Sequence, residues 1–323
     1  MDLALRCDVT LLFQELGVDT DALVFVDEFP WKIKSIVEVT LMDHNAVTNK
    51  NIPHGYDLQV VEIVDHHSDL GQHLNAQKRE IAFADGKALV ASTCTLVAEK
   101  LFEFDSHDVH KLLATMLLGV IALDSINFDP TAKKVTPRDA KAAKLLEEMA
   151  FARKEDLYDW LQNAKFNPGR WQAFSLEETL RVDHKEFTFV AVDGSAKKIG
   201  ISSVLIDLKA FMLKAEDASA LCRGLSSFCN QNELALSLVM TMYMMPDKQC
   251  QRQLLFFEED GIYSKHCVDF ITKIGFLEVV PLVLPAVYRD ERIVAFDQLN
   301  ASASRKQVAP IILSALTKVP RRA

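Results

Sequence analysis

The sequence predicts an α/β chain of two domains, the first built on a parallel sheet and the second a mixed α/β unit around a largely antiparallel sheet. Three observations carry this. At 323 residues the chain is long enough for two domains of ordinary size, each with its own core. In the first half, apolar strand-like runs end abruptly in carboxylates and imidazoles, at the edge where open α/β sheets bind ligands. In the second half, Phe187–Val192, the turn Asp193–Ser195 and Ile199–Ile206 give the strongest hairpin signal in the chain.

Composition narrows the function classes. Charged residues at 25% and apolar residues at 49% describe a soluble globular protein. No apolar run is long enough to cross a membrane, and the opening Met1–Asp8 is too acidic and too broken for a signal peptide. The net charge of −9 argues against a general nucleic-acid binder, which needs a basic field. Six scattered cysteines without a CxxC pair read as reduced thiols, which points to the cytoplasm and away from a disulfide framework or zinc knuckle.

Taken in order, Asp8–Leu16 is a short helical pattern with Gly17 as its stop, and Ala22–Val26 reads as a strand ending at Asp27. Val37–Met42, rich in β-branched residues, reads as a second strand that stops at Asp43-His44-Asn45. A polar loop then leads to Leu58–Val64, a buried strand that delivers Asp65, His66 and His67. Asp oxygen and His nitrogen together suit a Mn²⁺- or Mg²⁺-type ion better than a structural zinc. A polar turn explains this one triplet equally well; a second carboxylate and imidazole at another strand end makes accident much less plausible. Adjacent histidines on an extended backbone point to opposite sides, so both can serve one ion only if the chain turns there.

Ala88–Val90 reads as the third strand, and Ser92-Thr93 as the cap of the helix that follows. Asp105-Ser106 opens another helix, whose apolar run Leu112–Leu123 delivers Asp124, a carboxylate expected to be costly in such surroundings unless paired or metal-bound. His107 and His110 have HxxH spacing but read as solvated surface. Charged amphipathic helices follow over Thr136–Glu148 and Glu155–Ala164, and Lys165–Arg170 breaks the pattern near a domain boundary. The domains are expected at 1–153 and 158–323. In the second, helices are expected after Asp207, over Ala218–Gln231, Ser264–Lys273 and Lys306–Leu316, and strands over Leu234–Met244, Gln253–Phe257 and Arg292–Phe296. Lys185, just before the hairpin, and Ser304-Arg305-Lys306 at a helix start are the cationic places able to hold phosphate oxygens.

Asp43-His44-Asn45, Val64-Asp65-His66-His67, Leu123-Asp124-Ser125, Lys185 and Ser304-Arg305-Lys306, in this order, resemble the DHH phosphoesterase superfamily in its DHHA2 branch. That branch holds manganese-dependent inorganic pyrophosphatases and the prune-like exopolyphosphatases of eukaryotes, the latter being more similar. The resemblance implies a DHH metal-binding domain followed by a DHHA2 phosphate-binding domain. It implies Asp43 as the ligand bridging two divalent metals, His66 and Asp124 as further ligands, His67 as a ligand or leaving-group contact, and Asp65 in the metal set or orienting it. Lys185, Arg305 and Lys306 would bind the phosphates of polyphosphate or pyrophosphate, and the reaction would be hydrolysis of a phosphoric anhydride by metal-activated water.

One family feature has no counterpart. The first motif, a strand end followed by Asp-x-Asp, should precede Val37; Asp19-Thr20-Asp21 has the letters but comes before a strand. The expectation is a DHH domain lacking its first strand, either because Met1 is internal to a longer protein or because this is a short form with little catalysis. Two further readings stay open: a catalytically weak protein that docks protein partners, and a phosphodiesterase acting on cyclic or short nucleotides.

Overall fold

The computed structural model describes residues 3–25, 27–31, 36–47, 56–104, 110–191, 193–245, 247 and 249–317. The chain forms two compact units, Asp8–Ala164 and Lys165–Ala323, the latter grouped with Met1–Cys7.

The first unit opens with helix α1 (Cys7–Glu15) and carries strands β1 (Ile36–Met42), β2 (Asp57–Asp65) and β3 (Lys78–Ile81) in one parallel sheet of order β1-β2-β3. A two-stranded ribbon, β4 (Phe83–Ala84) with β5 (Lys87–Ala88), precedes helices α2 (Thr93–Phe104), α3 (Lys111–Asp124), α4 (Pro137–Glu147) and α5 (Lys154–Lys165). The register between β1 and β2 slips by one residue after Val39, so that Leu41 lies beside Ile63 and Met42 beside Val64. Both strands therefore finish level, and Asp43 and Asp65 leave the sheet side by side. Ile63 and Val64 are completely or almost completely buried, and a second core joins α3 and α4 through Leu118, Ile121, Ala143 and Leu146.

Several expectations change here. The strand expected at Ala22–Val26 is not found over residues 22–25, and Val26 lies outside the described residues: Asp19 accepts the Asp21 amide at 3.0 Å and caps a 3₁₀ turn over Thr20–Ala22, and residues 23–25 have no sheet partner among the described residues. A short polar side chain that bonds its own backbone outcompetes a brief apolar run. The third parallel strand is Lys78–Ile81 and not Ala88–Val90. Two of its charged residues are spent on ion pairs, Arg79 with Asp69 and Glu80 with Lys100, which hides the strand from an apolar pattern. The start expected for α3 and His107 lie outside the described residues; α3 begins after His110, whose Nδ1 accepts the Leu112 amide.

The second unit begins with α6 (Pro168–Ala173) and α7 (Leu176–Arg181), then the hairpin β6 (His184–Val190) and β7 (Ala196–Val204) in antiparallel register. After α8 (Leu208–Met212) and α9 (Ala218–Asn232) come β8 (Leu234–Thr241), β9 (Tyr243–Met244) and β10 (Cys250–Phe257), then α10 (Ile262–Ile274), β11 (Val279–Pro281), β12 (Ile293–Gln298) and α11 (Arg305–Leu316). The sheet order is β11-β12-β10-β8-β7-β6, with only β7 and β8 parallel. Alternate residues of β10 face opposite layers: Leu254 and Phe256 pack with Ile271 and Val308, Leu255 and Phe257 with Phe211 and Phe228. Burial on both faces explains why these strands read as near-continuous apolar runs.

Candidate metal centre

The site in the first unit starts from two strand ends. Asp43 follows β1 with φ +65°, a left-handed conformation that Asp tolerates better than most residues, and its amide donates to the Val64 carbonyl at 2.9 Å. At the end of β2, Asp65 Oδ1 accepts the amides of His66 at 2.8 Å and His67 at 3.2 Å. That double acceptance turns the chain, which is the condition for adjacent histidines to serve one place. Their rings lie 4.5 Å apart at 86°.

Each imidazole has its Nδ1 assigned. His66 Nδ1 donates to the Val90 carbonyl at 3.0 Å, and His67 Nδ1 donates to Asp65 Oδ1 at 2.7 Å. A ring that donates from Nδ1 keeps its Nε2 lone pair for a metal. His66 Nε2 lies 3.5 Å from Asp43 Oδ1, and one ligand atom from each of Asp43, His66 and His67 falls within 4.8 Å of the others. Asp43 is exposed, and its Oδ1 accepts the Thr93 hydroxyl at 2.7 Å. The donor set of one carboxylate and two imidazoles suits a divalent ion of the manganese or magnesium type.

Asp65 is placed differently from its neighbours. It is completely buried, its Oδ2 accepts the Asn45 amide at 2.6 Å, and its Oδ1 serves the two backbone amides and His67. Burial pushes this carboxyl up, but the bonds from His67 and Asn45 outweigh it and the net direction is down. A carboxylate so engaged orients His67, and it stands outside the ligand-atom group.

Asp124, the last residue of α3, is exposed, so the expected cost of burying it does not arise. It sits instead at the negative end of a helix dipole, which disfavours a carboxylate by about 0.3–1 kcal/mol. It lies outside the tight group, and its link to Asp43 is the Cys94 thiol, on which both charges act. Burial, then the charge of Asp124 and more weakly that of Asp43, push the Cys94 thiol up to about 11.

Four further residues support the site. Asn45, buried, also donates to the Ser68 carbonyl at 3.1 Å and accepts the Leu70 amide at 2.9 Å, tying together the loops that follow β1 and β2. Asp139, completely buried in α4, accepts the Ala91 amide and the Thr95 hydroxyl and so fixes the segment that presents Val90 and Thr93. Ser92 and Thr93 divide their tasks: Ser92 Oγ accepts the Cys94 amide at the helix start, and Thr93 reaches Asp43.

Lys185, Arg305 and Lys306 belong to the second unit. Lys185 and Lys306 are exposed, and Ser304 caps α11 in a capping box with Gln307. The Arg305 side chain is mostly buried and paired with Asp183 at 2.6 Å.

Residues 159–315 match the DHHA2 domain family. The chain resembles a crystal structure from Methanococcus jannaschii described as a "putative family II inorganic pyrophosphatase", with a TM-score of 0.59 and 20% identity over 96% of this chain and 87% of that one. The family match covers the second unit, and the similarity to the relatives below runs along nearly the whole chain. The chain is 28% identical to mouse (Mus musculus) exopolyphosphatase PRUNE1 over 325 residues, 98% of this chain and 66% of the relative. The chain thus spans slightly under two thirds of that relative's length. A probable manganese-dependent inorganic pyrophosphatase of Bacillus velezensis is 29% identical over 167 residues, 51% of this chain and 48% of its own.

Proposed function

We propose that this chain is a metal-dependent hydrolase of phosphoric anhydrides, with pyrophosphate or short polyphosphate as substrate. The observation that carries the reading is the convergence of Asp43, His66 and His67, with His66 Nε2 3.5 Å and His67 Nδ1 3.9 Å from Asp43 Oδ1 and one ligand atom of each residue within 4.8 Å of the others. The names of the relatives, an exopolyphosphatase and a manganese-dependent pyrophosphatase, support the substrate class.

Asp43, His66 and His67 would hold a Mn²⁺ or Mg²⁺ ion, with Asp124 as a further carboxylate toward a second one. When bound, such ions neutralise charge developing on a departing phosphate and lower the pKa of water. The chain's own residues do the positioning. Asp65 fixes the tautomer of His67, the Val90 carbonyl fixes that of His66, and Thr93 orients the Asp43 carboxylate. Lys185, Arg305 and Lys306 supply the positive charge that phosphate oxygens require. Among the described residues no helix is long and apolar enough to cross a membrane.

The test is phosphate release from pyrophosphate and tripolyphosphate, and formation of the nucleoside monophosphate from a 3′,5′-cyclic nucleotide, each with Mn²⁺ or Mg²⁺. The first two are expected to react. Turnover of the cyclic nucleotide alone, or of none by a folded chain that binds metal, overturns the proposal.

A further inference from the structure

We infer that Asp183 is a positioning residue which holds the Arg305 guanidinium so that one edge of it forms a two-pronged fork for a phosphate group. The inference rests on the phosphate-binding reading above and adds to it a residue and a binding mode.

The geometry comes from how the guanidinium is spent. Arg305 Nη1 donates to the Asp183 carbonyl at 2.7 Å and to the Ile201 carbonyl at 3.3 Å, and Nη2 donates to Asp183 Oδ1 at 2.6 Å. A guanidinium has five N–H groups in a fixed plane. The three bonds consume both protons of Nη1 and one of Nη2. What remains is the Nε–H and the other Nη2–H, which point the same way along one side of the group. No partner for this pair occurs among the described residues, and two parallel N–H donors at that spacing match two oxygens of one phosphate.

The anchors are rigid. The Asp183 carbonyl also accepts the Ser203 amide at 2.9 Å, which extends the β6–β7 ladder by one residue, and Ile201 lies directly across that ladder from Lys185. The fork is thus built on the sheet edge that carries Lys185, with exposed Lys306 next to it in the chain. An arginine pinned at three points loses little side-chain freedom when it takes up an anion, and that is how a second residue raises affinity without touching the ligand. The Arg305 side chain is 13% exposed and that of Asp183 51%, so the carboxylate rather than the cation meets most of the solvent.

Asp183 has a competing role to be separated from this one: an anion that occupies the cation and must be displaced. The two differ in sign. Tripolyphosphate binding is measured by calorimetry on the full chain and on Asp183→Ala, Asp183→Asn, Arg305→Lys and Asp183→Ala/Arg305→Lys, with thermal melts confirming that each is folded. For positioning, Asp183→Ala weakens binding about tenfold, the range seen when an outer hydrogen-bond partner is removed. Asp183→Asn, which keeps an oxygen at the same reach, restores most of the loss. Arg305→Lys weakens binding comparably, and the double change costs no more than Arg305→Lys alone. Binding that Asp183→Ala leaves unchanged or tightens overturns this inference while the phosphate reading stands. No tripolyphosphate binding by the unaltered, folded chain overturns both.

Discussion

Replacing Asn45 by alanine probes the part of the candidate centre that touches no ligand. Asn45 is 3% exposed and makes three hydrogen bonds, to Asp65 Oδ2 at 2.6 Å, to the Ser68 carbonyl at 3.1 Å and from the Leu70 amide at 2.9 Å. The first is to a charged group and contributes about 1.5–3 kcal/mol, and the other two contribute about 0.5–1.5 kcal/mol each. Because Asp65 keeps its bonds from His66 and His67, the lower part of that sum applies, about 3 kcal/mol. At a factor of ten per 1.4 kcal/mol, this is on the order of a hundredfold in the opening equilibrium of the sheet. Amide hydrogen exchange at Ile63 and Val64 reads it residue by residue, and so needs no two-state unfolding of a chain with two units. Manganese affinity should fall about tenfold in the same variant, since Asp65 would no longer be held against His67. Exchange accelerated by less than threefold would refute the reasoning, because it would mean that Asp65 is held without Asn45.

Two further outcomes concern the second unit. Arg292 forks onto Asp290, Nε to Oδ1 and Nη2 to Oδ2 at 2.8 Å each, and this pairing holds the Asp290 carboxyl well below the usual carboxylate range. A depressed folded-state value stabilises fully above the ordinary carboxyl pKa of about 4 and is lost as pH falls through the folded value, so Asp290→Asn should flatten the acid limb of a denaturation series between about pH 4 and pH 2. A limb as steep as that of the parent would show that the pair contributes nothing. A Cβ at Gly200 would stand 2.5 Å from both His184 Cε1 and Leu234 Cδ1, so Gly200→Ala should destabilise by about 1–3 kcal/mol through overpacking, seen as a lowered melting temperature.

The sequence made some elements plain and concealed others, for physical reasons. β1, β2 and the β6–β7 hairpin are legible because their residues alternate or cluster as strands do, and the closeness of Asp43 and Asp65 follows from strands that end together. β3 is concealed because its Arg79 and Glu80 are spent on ion pairs with Asp69 and Lys100. Asp124 is legible as a helix-terminal carboxylate, but its exposure is not, since a helix of apolar residues says nothing about where its last turn emerges. The tautomers of His66 and His67 depend on Val90 and Asp65, and a backbone carbonyl leaves no trace in residue type. Asn45, Asp139 and Asp183 look like ordinary loop or cap residues. Only the folded chain shows that they hold the residues beside them in place.

Calorimetric titration of Mn²⁺ into the full chain and into Asp43→Ala tests the central claim most directly, with His110→Ala as a change outside the site. The account predicts binding by the parent and by His110→Ala, and loss of binding by a folded Asp43→Ala chain. Equal binding by the parent and Asp43→Ala would contradict it, because the carboxylate between His66 and His67 would then hold no metal.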